Sequence, residues 1–388
     1  MIYKMSKNTF PRSIGILGGG QLARMLAVAA ANLGCSVLVM DKYPECPASK
    51  VAATFYTGDC NSLTDILNFA QHCDILAIEN EFIDSRVIAE LEAKGVDIYP
   101  SSKCLSFTQD KLIQKQILKD NHLPVPNFAA VSCPADVVKF ADQYGWPLVL
   151  KKRRNGYDGK GNYTLRNLSD IQTGWDTLNG NKVDLLVEEY WKYDKEIATI
   201  VTRGIDGRTV VYPVVETIQQ NHICDSVKAP AHLPLDVINK AKNIAERSIQ
   251  IVEGIGSFGV EMFLSFHGDI VINELAPRVH NSGHYTIDAC FTSQFENHLR
   301  AILGLPLGNS NMIVPVAVMV NILGKADTSG EVDGIDELLR IDNLKLHLYG
   351  KEMTTKGRKM GHLTVLGDHI DDIYIKAKIA ASCIEFGN

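Results

Sequence analysis

The sequence predicts a chain of several domains, α/β over roughly its first hundred residues and α+β beyond. Three observations carry this. At 388 residues the chain exceeds what one compact core organises, which predicts two to four domains. Residues 13–41 read strand, glycine turn, helix, strand, and short βα units continue to about residue 99. After residue 106, strands meet across glycine-containing turns with longer helices between them.

Composition narrows the function classes. Apolar residues make up 46% and charged residues 22%, the balance of a soluble globular protein. No run of eighteen apolar residues occurs, so no membrane span or membrane partner is expected. Residues 1–13 contain no long apolar stretch, which argues against secretion and for a cytoplasmic protein. Nine cysteines are scattered without a CxxC and read as reduced thiols, mostly small apolar fillers. A formal net charge of -6 argues against nonspecific nucleic-acid binding but leaves small anionic ligands open.

Ser13–Leu17 is a short apolar strand followed by Gly18-Gly19-Gly20, and an alanine- and leucine-rich helix then runs to Leu33-Gly34. Cys35–Met40 is a second strand, closed by Asp41. This order suits a nucleotide-binding βαβ unit, in which glycines admit a ligand to the backbone and the helix N-terminus holds phosphate. Ala23 takes the third glycine position, so the motif alone leaves open a phosphate or substrate site at Gly20-Gln21-Leu22, a dinucleotide site, or an architectural turn. Helices at Ser62–His72 and Ile83–Ala93 alternate with strands at Asp74–Ile78 and Val96–Tyr99. Glu79-Asn80-Glu81 falls at the carboxyl end of its strand, where open α/β sheets bind ligands. One of these acids could accept a hydrogen bond from a sugar hydroxyl or amine, and a solvated loop explains them as well.

Thr108–Leu118 reads as a helix carrying Lys111, and Ala135–Tyr144 as another. Pro147–Arg154 is a strand ending in four cations, Lys151 to Arg154, and it enters a glycine-rich loop, 155–162, before the strand Tyr163–Leu165. Alternation sends Lys151 and Arg153 one way, Lys152 and Arg154 the other. Backbone N–H groups and a lysine closing over polyphosphate would use this stretch well, with a basic solvent-exposed hairpin as the alternative. It lacks the GxxxxGK[ST] spacing of a Walker A loop. Leu185–Trp191 runs from an apolar strand into Glu188, Glu189, Tyr190 and Trp191 and could offer backbone groups to an adenine edge, with Glu196 near ribose hydroxyls.

Ile197–Thr202 and Thr209–Val215 form a hairpin, and the mixed charges of Leu235–Val252 predict a helix covering a sheet with one face only. Val260–Phe266 and Ile270–Ile272 flank His267-Gly268-Asp269, a tight turn. A two-residue loop at His267-Gly268 places Glu261 directly opposite Glu274 on one face of the hairpin. Facing carboxylates repel, and a divalent cation such as Mg²⁺ or Mn²⁺ would resolve the repulsion; solvated glutamates on an ordinary hairpin are the alternative. Arg278 to His284 follows, dense in anion-binding and proton-transfer groups. Phe291–Leu303 is a helix and Val314–Ile322 a buried strand. In the tail, Lys351, Lys356, Arg358, Lys359 and His362 surround three glycines, as a phosphate seat or a solvated hairpin would.

Four segments together resemble the N5-carboxyaminoimidazole ribonucleotide synthetase family of the ATP-grasp superfamily. They are GILGGGQLARM at 15–25, KRRNGYDGKG at 152–161, NELAPRVHNSGH at 273–284 and GRKMGH at 357–362. The third is highly specific. The resemblance implies an ATP-grasp fold with an N-terminal Rossmann-like (pre-ATP-grasp) domain and a small C-terminal β-rich domain. The expected divisions are 1–108 on the ribonucleotide side, 109–192 with the glycine lid, 193–312 with the metal site, and 313–388 adding phosphate contacts. It implies a ligase of purine biosynthesis, joining ATP, bicarbonate and 5-aminoimidazole ribonucleotide (AIR) through carboxyphosphate, with Mg²⁺ or Mn²⁺, as a homodimer.

Carried onto matching positions, the resemblance puts Lys111, Lys151 and the loop Gly156, Tyr157, Asp158, Gly159, Lys160, Gly161 and Asn162 on ATP. Glu188, Glu189, Tyr190 and Trp191 would line the adenine pocket, Glu196 the ribose, and Asn273 and Glu274 the phosphates, with Glu261 and Glu274 holding the metal. Gln219 is grouped with ATP, where some members carry a histidine; its role is unassigned. Gly20, Gln21, Leu22, Glu79, Asn281, Ser282, Lys351 and Arg358 would meet the ribonucleotide. Arg278, His280, Tyr157 and Lys351 would serve the chemistry, with Arg278 and His280 at bicarbonate. Two other enzyme readings are a formate-dependent glycinamide ribonucleotide transformylase of the same fold and an NAD-dependent dehydrogenase resting on Gly18–Asp41. A third is a catalytically dead scaffold that binds ATP without turnover.

Overall fold

The computed structural model describes residues 10, 12–156, 161–220 and 222–387. Its first unit is a five-stranded parallel sheet in the spatial order Thr54–Thr57, Ser36–Asp41, Ser13–Leu17, Ile75–Ile78, Ile98–Tyr99. Thr54–Thr57 is an edge strand that the hydropathy pattern did not reveal. Strand order reverses beside Ser13–Leu17, so Gly18–Gly20 and Glu79–Glu81 leave neighbouring carboxyl ends at the switch point of the sheet. Ser62 and Asp84 are caps rather than helical residues: their side chains accept the backbone N–H of Asp65 and Arg86, and the helices run Leu63–Ala70 and Ser85–Ala93.

The helix expected over Thr108–Leu118 starts later, at Lys111, and runs to Asp120, and a separate helix, Ser102–Thr108, precedes it. Asp110 sets that start, because its carboxylate caps the helix through Leu112 and Ile113 N–H. That start puts Lys111 and Lys115 on one face, four residues apart. A four-stranded antiparallel sheet follows, ordered Phe128–Val131, Leu185–Glu189, Leu148–Lys152, Asn162–Leu165. Pro134–Tyr144 and Asp170–Thr177 pack on it through Val137, Phe140, Ile171 and Trp175.

A nine-stranded sheet, predominantly antiparallel in its pairings, forms the largest layer. Its main path is Ile270–Ala276, Gly256–Leu264, Lys195–Arg203, Val215–Gln220, Ile223–Ala229, Val316–Leu323, Lys359–Gly367 and Leu344–Leu348, with Thr209–Val211 beside Lys195–Arg203. Thr209–Val211 therefore ends early, and Val215 opens a new strand rather than closing that hairpin. The long helix is Leu235–Ile251, and it buries Val237, Ala241, Ile244, Ala245 and Ile249 while its charges face outward, as the one-sided pattern predicted. The tail strands extend this same sheet through Ile223–Ala229 and Val316–Leu323, covered by the helix Ile370–Ser382. Among the described residues no helix is long and apolar enough to cross a membrane. All nine cysteines are unpaired, and Cys35, Cys46, Cys104 and Cys290 are buried.

Candidate active site

The Glu261–Glu274 opposition is present, by a different route from the one the turn suggested. The turn is longer: Ser265 N donates to Asp269 O, and the strands pair Leu264 with Ile270 and Met262 with Ile272. A register shift beyond Met262 then inserts Asn273, which restores Glu261 opposite Glu274. The bulge brings Asn273 into the same cluster. Its amide nitrogen lies 3.4 Å from Glu261 Oε2, and its Oδ1 accepts from Lys151 Nζ at 3.2 Å.

Three lysines converge here. Lys111 pairs with Glu274. Lys115 and Lys151 both pair with Glu188, at 3.1 and 2.9 Å, and all three groups are buried. Burial and the neighbouring Lys151 charge lower the Lys111 ammonium to about 8. Burial likewise lowers Lys115 to about 8, against the pull of Glu188. Burial pushes the Glu188 carboxyl up, but its two lysines outweigh that and hold it below the ordinary value. Its side chain is thus spent on Lys115 and Lys151. Lys115 was not singled out in the sequence, although its spacing from Lys111 offered the signal.

Glu261 is an under-compensated carboxylate. Burial, then the nearby Glu196 charge, raises its pKa, and no lysine or arginine pairs with it directly among the described residues. Two carboxylates and an amide oxygen do not by themselves close a coordination sphere, and the described residues contain no cluster of three acidic, histidine or cysteine ligands. Such a set fits a hard cation that takes its remaining ligands from water and substrate phosphate.

Behind the pair, Glu196 accepts from Tyr193 Oη at 2.9 Å and from Gln219, and burial raises its carboxyl. Gln219 therefore touches a predicted ribose-side residue. Glu189 accepts from Asn127 at 2.8 Å, Tyr190 is exposed, and the Trp191 indole N–H is buried without a hydrogen-bond partner among the described residues. Gly156, Gly161 and Asn162 border the loop; Tyr157, Asp158, Gly159 and Lys160 lie outside the described residues. The expected alternation of Arg153 and Arg154 fails because the strand ends at Lys152, and both guanidinium groups reach Asp110. A cavity of about 190 Å³ opens between Glu81, Lys111, Arg153, Arg154, Gly156 and Glu274.

Arg278 crosses to the first domain and forks onto Glu81, with Nη2 to Oε1 at 3.1 Å. The pair keeps Glu81 ionised against burial and raises Arg278. His280 lies 3.5 Å from Glu261 through Nε2, and its Nδ1 faces Ser282 Oγ at 2.9 Å. Burial, with the Arg278 and Lys359 charges, keeps it neutral well below its ordinary pKa. Ser282 N–H also points to Nδ1, at 3.4 Å, which assigns the ring proton to Nε2. Asn281 exchanges two amide hydrogen bonds with Asn321, at 2.9 and 2.7 Å. Lys351 Nζ donates to Lys359 O at 2.6 Å, and Arg358 to Met353 O at 2.7 Å. Lys359 acts electrostatically on Glu261, His280 and His284, a reach the basic tail did not disclose.

The glycine turn answers the dinucleotide alternative. Gly19 N–H donates to Asp41 Oδ2 at 2.7 Å, so the acid that ends the second strand closes the glycine turn. Glu79 accepts from Gly20 and Leu22 N–H, and its carboxyl, raised by burial, occupies the helix N-terminus where a pyrophosphate would lie. A Cβ at Gly20 would sit 2.0 Å from Glu79 Oε1, so only glycine lets the acid approach this closely.

Comparison with known proteins agrees with this arrangement. Residues 12–109 match the ribonucleotide synthetase preATP-grasp domain, 116–295 the ATP-grasp domain, and 317–376 the phosphoribosylaminoimidazole carboxylase C-terminal domain. The chain is 40% identical over 354 residues to N5-carboxyaminoimidazole ribonucleotide synthase of Synechococcus elongatus, covering 91% of this chain and 89% of that one. It is 39% identical to phosphoribosylaminoimidazole carboxylase of Ogataea methanolica, over 93% of this chain and 67% of the relative. It spans 63% of the Candida glabrata protein of the same name. An N5-carboxyaminoimidazole ribonucleotide synthetase solved as its ADP complex superposes with a TM-score of 0.89 at 38% identity, over 97% of this chain and 98% of that one. The Aspergillus clavatus synthase, solved with ADP and 5-aminoimidazole ribonucleotide, gives 0.88 at 34% identity, over 96% and 98%. Its sequence, its fold and the carboxylate–lysine centre thus point one way, and the chain belongs to the N5-carboxyaminoimidazole ribonucleotide synthetase family of ATP-grasp ligases.

Proposed function

We propose that this protein joins bicarbonate to the exocyclic amine of 5-aminoimidazole ribonucleotide at the expense of ATP, giving N5-carboxyaminoimidazole ribonucleotide, ADP and phosphate. The observation that carries the reading is the meeting of Glu261, Glu274 and Asn273 with Lys111, Lys151 and Arg278 on one face, against the ribonucleotide-side domain.

Bicarbonate is a poor electrophile because hydroxide is a poor leaving group. Its oxygen attacks the γ-phosphorus of ATP, the bond to the β-phosphate oxygen breaks, and ADP departs. The amine nitrogen then attacks the carboxyphosphate carbon, and phosphate leaves with the carbon–oxygen electron pair. That departing oxyanion accepts the amine proton, so His280 need not act as a base; with hydrogen on Nε2 it donates toward anionic oxygen. Lys111 and Lys151 hold the phosphates, and Arg278 matches the planar bicarbonate. Glu261 and Glu274 would hold Mg²⁺, which would offset charge on the transferred phosphoryl group. Lys111 also pairs with Glu274. Gly20, Gln21, Leu22 and Glu79 face the ribonucleotide, with Lys351 and Arg358 toward its phosphate. Carboxyphosphate survives long enough to react only where water is kept from it.

The test is ADP release by the purified protein with ATP and Mg²⁺, withholding bicarbonate and aminoimidazole ribonucleotide in turn. Release requiring both supports the reading. Equal release with formate and glycinamide ribonucleotide, or release independent of the aminoimidazole substrate, rejects it.

A further inference from the structure

The Arg278–Glu81 contact joins residues 197 apart in the chain and ties the first domain to the carboxylate centre. Glu81 takes Nε and Nη2 of Arg278, while Nη1 donates to Val279 O at 3.3 Å. A guanidinium carries five N–H bonds, and three are committed in this way. One N–H remains on each terminal nitrogen, enough for a second fork onto a planar oxyanion. Glu81 is itself anchored, because Gln109 Nε2 donates to its backbone carbonyl at 2.9 Å. Two residues earlier in the same loop, Glu79 accepts the backbone N–H groups of the glycine turn. The Arg278 and Glu81 side chains are only 20% and 23% exposed, so removing one charge strands the other in poorly solvated surroundings.

We propose that Glu81 is a positioning residue: from the loop that carries Glu79 against the glycine turn, it aims the remaining fork of Arg278 at the Glu261/Glu274 centre. The proposal rests on Arg278 being the bicarbonate seat. It makes that seat depend on the ribonucleotide-side domain, so that bicarbonate is activated where an amine can trap it. The opposite role, an internal carboxylate competing with bicarbonate for Arg278, predicts the opposite kinetic sign.

Glu81→Gln keeps shape and removes charge; Glu81→Asp keeps charge and shortens the reach. Both are assayed beside the wild type for ADP released and ribonucleotide consumed, with bicarbonate and ATP varied separately and folding checked by thermal melt. Wild-type ADP release must require bicarbonate and ribonucleotide; if it does not, the functional reading fails whatever the variants do. With that met, the KM for bicarbonate should rise about tenfold, the scale of one lost charge-assisted hydrogen bond, with the KM for ATP unchanged. ADP should also exceed ribonucleotide consumed. A bicarbonate KM unchanged or lowered, or one ADP per ribonucleotide in whichever variants fold, overturns the proposal.

Discussion

The glycine turn at 18–22 and the hairpin at 261–274 both look like ligand sites in the sequence, yet they differ in how far the protein satisfies its own polar groups. In the turn, donors meet internal acids: Gly19 finds Asp41, while Gly20 and Leu22 find Glu79. In the hairpin, two acids face each other, three lysines crowd in, and Glu261 is left with a raised pKa and no directly paired cation among the described residues. In the function proposed above, the self-satisfied turn would face a neutral or sugar-like group, and the under-compensated cluster would receive polyphosphate and a cation.

The sharpest way to break this contrast is Glu274→Gln. It removes half of the facing pair, and turnover should fall at least about a thousandfold while the thermal midpoint is retained. Near-normal ADP release would show the pair to be structural. Lys115→Met should act on stability, because Lys115 and Glu188 are both buried and the change leaves Glu188 with Lys151 alone. A loss of about 3–5 kcal/mol in urea denaturation is expected.

On the other side of the comparison, Gly20→Ala should push the Glu79 carboxylate off the turn. The KM for aminoimidazole ribonucleotide should rise about tenfold, with the KM for ATP constant. A change in the ATP value would place the turn on the wrong substrate.

Acidity separates the regions more gently. Lys111 and Lys115 titrate near 8, so the KM for ATP should climb severalfold from pH 8 to 10 as they lose charge. Stability moves the other way in that window. The unfolded chain keeps these protons up to the ordinary lysine value of 10.5, so their contribution to native stability rises with pH above about 8. The smallest expected effect is none: millimolar NAD should leave the melting curve of the protein unshifted, and clear stabilisation would reopen the dinucleotide reading.

Local patterns were enough for much of this. Strand–turn–helix order gave the first sheet except its edge strand Thr54–Thr57, which has little apolar alternation to betray it. The facing carboxylates were legible because strand period and a nearby turn set cross-strand partners, although turn length and bulge each differed by one residue and cancelled. The helix boundary at Asp110 was missed because a cap competes with continued helical periodicity, and that boundary decides where Lys111 and Lys115 point.

What the sequence determined by itself is therefore the family, the acidic pair, the glycine turn and the basic loop, all written in spacings of a few residues. Only the tertiary structure decided that Glu188 serves lysines, that Asp41 and Glu79 fill the turn, and that Glu81 holds Arg278. The physical reason is reach. Strand and helix periodicities fix which face a side chain takes, whereas a charge finds its partner only after sheets distant in sequence pack together and exclude the water that would otherwise screen it.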